Sequence, residues 1–168
     1  MTKKIEIYSP RYIKAFTLIE LLVVISIIGI LAALSLASFS TAQKQSRDTE
    51  RKSDLAQYQN SLEGYANKNN SLYPSRPDAT GATTETLCAD LDLTGCPEDP
   101  KNSSDATFVY KYQSSGTISN GNPTATTYVL WAKLESATSY RVVCSNGKNG
   151  NISQASWVNP TTGVCPLP

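Results

Sequence analysis

The sequence has no histidine among its 168 residues. Histidine is the commonest general base of enzymes and the commonest metal ligand, so its absence argues against both kinds of site. The motifs of a nucleophile elbow and of a phosphate-binding loop are also missing. We therefore expect no catalytic residues and no enzyme activity.

The chain also lacks an excess of charge of either sign. It carries 15 basic and 14 acidic residues, which gives a formal net charge of +1 at pH 7. Clusters of basic residues that would follow a phosphate backbone are absent as well. No nucleic-acid partner is therefore predicted.

Residues 16–39 lack proline, lysine and arginine and are almost wholly apolar. A helix over this range would be about 36 Å long, enough to cross a hydrocarbon layer of about 30 Å. A soluble helix of this length would normally show a polar face, and this segment has none. The run is also longer than the apolar region of a cleaved secretory signal. The segment is therefore predicted to be a transmembrane helix.

Glu20 is the only charged residue in this apolar segment. A charged acid at the centre of a membrane helix costs about 2.5–3.5 kcal/mol, so an acid in this position indicates a function by default. The alternative is a carboxylate at the membrane interface of a long, tilted helix. No basic residue lies within one helical turn after Glu20, and Lys14 lies well before it.

Four cysteines follow the apolar segment: Cys88, Cys96, Cys144 and Cys165. An even number on one side of a membrane segment indicates two disulfides in an oxidising compartment, with four buried free thiols as the alternative. Three pairings are possible; the positions of the cysteines in two successive loop regions favour Cys88–Cys96 and Cys144–Cys165. Basic residues are nearly balanced across the apolar segment, so the cysteines decide the orientation. The N-terminus is predicted in the cytoplasm and the C-terminal domain outside.

Residues 15–25, AFTLIELLVVI, resemble the prepilin signature of type IV pilins and of secretion-system pseudopilins. The resemblance implies that a prepilin peptidase cleaves between Ala15 and Phe16 and that Phe16 is then N-methylated. It also implies that Glu20 pairs with the N-terminal amine of a neighbouring subunit during assembly. An α-amine with a pKa of about 7.7–8 is cationic near pH 7, and opposite charges tolerate burial better as a pair.

Two positions depart from the usual pattern of this family. Ala15 stands where the family usually has glycine, and Ala37 stands where many relatives have proline. Because proline would remove a helical hydrogen bond, a more continuous helix is expected here.

The resemblance and the residue pattern together predict an α+β fold, a pilin-like ladle in which a long N-terminal spine helix packs on a small antiparallel sheet. Residues 1–15 are the predicted cytoplasmic leader, which is cleaved, and residues 16–39 are the transmembrane half of the spine helix. Residues 40–70 are its amphipathic half. Residues 71–168 form the exported β domain, with an αβ loop and a disulfide-bounded C-terminal loop.

Periodicity supports this division. In residues 40–70, one apolar face is predicted from spacings of three and four: Leu55, Tyr58, Leu62, Tyr65 and Ala66. The charged stretch RDTERK, residues 47–52, is predicted to be a solvated helix face with pairs such as Asp48–Lys52. Strands are predicted at residues 108–113, 128–134 and 140–144 as an antiparallel meander, with a short helix from about Thr84.

No cofactor is predicted, but four acids in the loops leave a calcium site open. Asp90, Asp92, Glu98 and Asp99 are oxygen ligands of the kind that calcium accepts, although no EF-hand spacing is present.

The leading hypothesis is a structural subunit of a type IV pilus or pilus-like filament. Its expected partners are other copies of itself and related pilins, the prepilin peptidase, the inner-membrane assembly machinery and the membrane. The expected location is first a single-pass membrane protein and then a cell-surface filament. The alternatives are a pseudopilin of a type II secretion system and an uncleaved, membrane-anchored binding domain, which would leave Glu20 unexplained.

Overall fold

The structure, a computed structural model, describes residues 16–78 and 80–168, and for residues 35–37 only the backbone. The predicted leader, with Ala15, lies outside the described residues. The chain divides into two compact units, one ending at Ser40 and the other beginning at Thr41.

The long helix α1 runs without a break over Leu18–Lys68. This agrees with the continuous helix expected in the absence of proline at Ala37. Its end is formed by Asn70 and Ser71, whose φ angles of 54° and 63° turn the chain out of the helix. The amide N–H of Ser71 then donates to the carbonyl of Ala66 at 2.8 Å, which satisfies a carbonyl that the helix leaves unpaired.

In the second unit, the described residues add the helix α2 (Thr84–Asp90), a short 3-10 helix at Gln154–Ser156 and seven short strands to the C-terminal part of α1. The strands are β1 (Tyr73–Pro74), β2 (Ala82–Thr83), β3 (Lys111–Ser114), β4 (Pro123–Ala125), β5 (Tyr128–Lys133), β6 (Ser139–Cys144) and β7 (Asn149–Ser153). A five-stranded antiparallel sheet has the order β2-β3-β5-β6-β7, and β1 pairs with β4 separately. The fold is α+β, as predicted.

The predicted strand over residues 108–113 is wrong in its first half. Strand β3 begins only at Lys111, because the preceding chain is still in a turn: the amide of Phe108 donates to the carbonyl of Asp105 at 3.0 Å. The β7 strand, with the sequence NGNIS, was not predicted. Asparagine and glycine are depleted in strands, and β7 forms because the edge of β6 supplies its hydrogen-bond partners.

The inner face of the sheet packs on α1. The helix contributes a buried stripe of Leu55, Tyr58, Leu62 and Ala66, as the periodicity predicts, whereas Tyr65 is only partly buried. The sheet contributes Tyr112, Tyr128, Leu130, Ala132 and Val143. Burial of a side chain such as Leu62 stabilises the fold by about 1.5–3 kcal/mol.

The outer face of the sheet is apolar as well, which the sequence reading did not anticipate. Its buried residues are Val129, Trp131, Val142 and Cys144. They are covered by residues 157–168, here called the C-terminal segment, through Trp157, Cys165 and Leu167. The sheet is therefore a middle layer between α1 and the C-terminal segment.

Candidate functional site

The first unit presents an apolar helix surface that no described residue covers. Every side chain from Phe16 to Leu34 is exposed, including Leu18 at 88% and Ile19 at 70%. The helix is long and apolar enough to cross a membrane. Soluble proteins rarely expose so large an apolar surface, so this half of α1 requires either lipid or other protein around it.

Glu20 is bound within its own helix by a capping box. Its Oε2 atom accepts hydrogen bonds from the backbone N–H of Thr17 at 2.9 Å and from the Thr17 hydroxyl at 2.6 Å. The backbone N–H of Glu20 donates in return to the Thr17 hydroxyl at 3.3 Å. This reciprocal arrangement between the N-cap residue and the third helical residue satisfies donors at the start of a helix. The signal in the sequence was T-x-x-E before an apolar run, and the sequence reading missed it.

The capping box also orients the acid. It turns the Glu20 carboxylate back towards Thr17 and Phe16, at the start of the described chain. The second oxygen, Oε1, accepts no hydrogen bond from any residue that the structure describes. Of the predicted processing pair, Phe16 is exposed at this end of the helix, and Ala15 lies outside the described residues.

In the second unit, α1 carries a buried arginine that the sequence reading also missed. Arg51 is fully buried and binds Asp99 through two hydrogen bonds of 2.6 and 2.8 Å. It also binds Asp48 and Glu135, each at 2.8 Å. The network therefore joins α1 to the loop after α2 and to the turn between β5 and β6.

Arg47 and Asp48 complete this network. Arg47 binds both carboxylate oxygens of Glu135 at 2.7 Å, while Asp48 accepts hydrogen bonds from the backbone N–H groups of Glu135 and Ser136. Hydrogen bonds from Arg47, and then from Arg51, hold the pKa of Glu135 at about 2 despite its burial. Glu135 is therefore ionised throughout the physiological pH range.

These contacts correct the prediction for residues 47–52. Half of the charged stretch is not a solvated face: Arg47, Asp48 and Arg51 turn towards the β domain. The predicted Asp48–Lys52 pair does not form, because the Asp48 carboxylate is already bound by Arg51 and by the turn after β5. Lys52 stays exposed.

Two of the four acids considered for calcium bind arginines. Asp99 binds Arg51, and Asp90 binds Arg76 at 2.6 and 2.8 Å. In residues 16–78 and 80–168, no group of three or more acidic, cysteine or histidine side chains is placed to hold a metal ion. These contacts give no support to a calcium site, the one exception that the sequence left open.

The cysteines are joined as Cys88–Cys96 and Cys144–Cys165, with Cα–Cα separations of 6.1 and 5.7 Å. The first pair ties α2 to the loop that follows it. The second ties the end of β6 to the C-terminal segment. Both lie in the unit that begins at Thr41.

Comparison with known proteins gives matches to parts of the chain. Residues 10–36 match the family model of the prokaryotic N-terminal methylation motif. A stretch of 48 residues is 46% identical to the type IV major pilin protein PilA of Myxococcus xanthus (strain DK1622). The match covers 29% of this chain and 21% of that protein. No solved structure matches the chain.

Proposed function

We propose, from the premise that this chain carries the N-terminal signature of the type IV pilin family, that it is a structural subunit of a type IV pilus or pilus-like filament. The observation that carries the proposal is the apolar surface of residues 16–34, which includes the first part of α1, lies within the methylation motif and is covered by no described residue. In a filament, the same surface that crosses the membrane in the free subunit would be buried against other copies. Such burial is favourable in proportion to the apolar area that leaves water.

In this proposal, Glu20 acts through the N-terminus that cleavage creates. Cleavage between Ala15 and Phe16 would place a cationic amine one residue before the capping threonine. The capping box engages Oε2 of Glu20 and leaves Oε1 without a partner in the described chain. We assign that oxygen to the amine of a neighbouring copy, which would neutralise both charges within the apolar core of the filament.

The proposed topology follows from the disulfides. Both lie in the unit after Thr41, and disulfides persist in oxidising compartments outside the cytoplasm. The N-terminus would therefore be cytoplasmic and the β domain exported, first as a membrane-anchored subunit and then in a surface filament. The prepilin peptidase and the inner-membrane assembly machinery are the proposed partners of this pathway, and no catalytic role is proposed for the chain.

The test is the mass of the N-terminal peptide of protein taken from the membranes of its native host. A terminus at Phe16, heavier by one methyl group, is the expected result. An intact leader in all of the protein would contradict the proposal and favour an uncleaved, membrane-anchored binding domain.

A second experiment tests the role of the acid. Glu20→Gln keeps a side chain that accepts a hydrogen bond from Thr17 but removes the charge, so the variant should enter the membrane and assemble poorly. The matched control is Thr17→Ser, which keeps the capping hydroxyl and should assemble normally. Normal filaments from Glu20→Gln would refute the pairing of Glu20 with an amine. Filaments that require the assembly machinery of a pilus, and not that of a type II secretion system, would separate the pilin from the pseudopilin alternative.

A further inference from the structure

The charges of residues 44–52 fall into two groups. Arg47, Asp48 and Arg51 are each bound to the β domain, and Arg51 also binds Asp48. The side chains of Lys44, Glu50 and Lys52 are exposed, and none of them makes a hydrogen bond or an ion pair with a described residue. The second group consists of one acid and two bases on a helix whose neighbouring charges are all paired.

The helix geometry explains why these three side chains do not pair with one another. Residues two apart are rotated by about 200° and do not face each other, so Glu50 cannot reach Lys52 of the same helix. Lys44 precedes Glu50 by about 9 Å along the axis and lies about 120° away from it around the helix. The acid and each base therefore point to different sides of α1.

We infer that Glu50 of one copy pairs with an exposed lysine, Lys52 or Lys44, on α1 of the next copy in the filament. The inference rests on the proposed function. Its support is charge complementarity between different sides of one helix, in a chain whose exposed apolar segment would already be buried against neighbouring copies in the proposed filament.

The arrangement also specifies how copies associate. Glu50 and Lys52 lie on nearly opposite sides of a helix about 10 Å wide, so one neighbouring helix cannot bind both. Each copy would present its acid to one neighbour and its base to another. A contact of this kind joins two different surfaces, and it extends into an open helical fibre when the rotation does not close.

The identity of the lysine would report the axial step between the two paired copies. Pairing of Glu50 with Lys52 corresponds to a displacement of about 3 Å along parallel helices, and pairing with Lys44 to about 9 Å. An exposed ion pair changes an equilibrium constant by only about two- to fivefold, so this contact sets register while the apolar half of α1 drives association.

Charge reversal tests the inference in the native host, with each variant as the only source of the subunit. The measurement is the ratio of subunit in filaments sheared from the cells to subunit left in the membrane. Glu50→Lys should lower this ratio about two- to tenfold, since it replaces attraction by repulsion. Adding either Lys52→Glu or Lys44→Glu should restore it, and the restoring variant identifies the partner.

The matched control is Glu85→Lys, which makes the same charge change at an exposed position of α2 and should leave the ratio unchanged. Three results would overturn the inference: normal assembly of Glu50→Lys, restoration by neither lysine variant, or an equal loss from Glu85→Lys. In each of these the unsubstituted chain still assembles, so the proposed function survives. Absence of filaments from the unsubstituted chain would instead contradict the proposed function, and this inference with it.

Discussion

Replacing Gly163 with alanine should lift the C-terminal segment from the outer face of the sheet. Gly163 has a φ of +68°, and a Cβ atom there would lie 2.5 Å from the backbone nitrogen of Ser115 and 2.6 Å from the carbonyl oxygen of Thr127. Real Cβ atoms do not approach other atoms so closely. Because both neighbours are backbone atoms beside paired strands, the C-terminal segment has to move instead.

The loss of stability in Gly163→Ala has two parts, which a matched control variant separates. Gly147 has a similar φ of +81°, but a Cβ atom there would meet nothing within 4 Å. The left-handed backbone costs an L-residue about 1–2 kcal/mol at either position. The steric conflict adds about 1–3 kcal/mol at Gly163 alone. Gly163→Ala should therefore be less stable than Gly147→Ala by about 1–3 kcal/mol.

The two tryptophans of the chain report the movement directly. Trp131 lies on the outer face and is only 4% exposed, and the Trp157 ring of the C-terminal segment lies 5.7 Å from it, between ring centroids. In the full chain in detergent, Gly163→Ala should shift tryptophan emission to longer wavelength and increase quenching by acrylamide. Gly147→Ala should keep the emission of the unsubstituted chain. Equal spectra and equal unfolding free energies for the two variants would refute the steric argument.

Three further predictions concern stability and are measured by urea unfolding of the full chain in detergent. Glu135→Gln should lower the free energy of unfolding by about 3 kcal/mol at pH 7, because the pKa of Glu135 is depressed to about 2 in the folded protein. The stabilisation by ionised Glu135 is complete above about pH 4.5 and is lost as the pH falls towards 2. The unsubstituted chain should therefore lose more stability in acid than the variant, and parallel pH curves would contradict the network. Leu62→Ala should cost about 2–5 kcal/mol because the side chain is fully buried, whereas the exposed Gln57→Ala should cost little; similar values would place Leu62 outside the core. Cys165→Ser should lower the free energy of unfolding by about 3 kcal/mol and Cys88→Ser by about 2.5 kcal/mol. The difference is expected because the Cys144–Cys165 disulfide closes the longer loop, with a sequence separation of 21 against 8. The reverse order would contradict the chain-entropy account.

The elements that the sequence predicted well are those with local signals. The apolar segment and the periodic stripe from Leu55 to Ala66 define α1, and the Val- and Tyr-rich stretches correspond to β5 and β6. Strand β7 could not be found in this way, because its residues form a strand only beside β6. The two-sided burial of β5 did leave a signal: the unbroken run YVLW has no polar residue for a solvent-facing side.

In the candidate site, too, local features could be predicted from the sequence and long-range contacts could not. The capping box at Thr17 and Glu20 is local and was present in the sequence as T-x-x-E. The partners of Arg51 are Asp99 and Glu135, which come from a loop and a turn far along the chain. Spacing on the helix predicts only pairs three or four residues apart. A buried arginine whose acids lie elsewhere in the sequence therefore reads as an ordinary surface charge.

The buried network of Arg51 and Asp48 affects the rates of folding and unfolding. The hydrogen bonds between Asp48 and the turn after β5 join residues 87 and 88 positions apart. Contacts of such long range require costly loop closure, so we expect this network to form after the transition state for folding. Interactions absent from the transition state slow unfolding and leave the folding rate nearly unchanged. The network would thus give the folded domain a long lifetime, which is the form of stability that would matter to the proposed filament subunit, folded once and then used outside the cell.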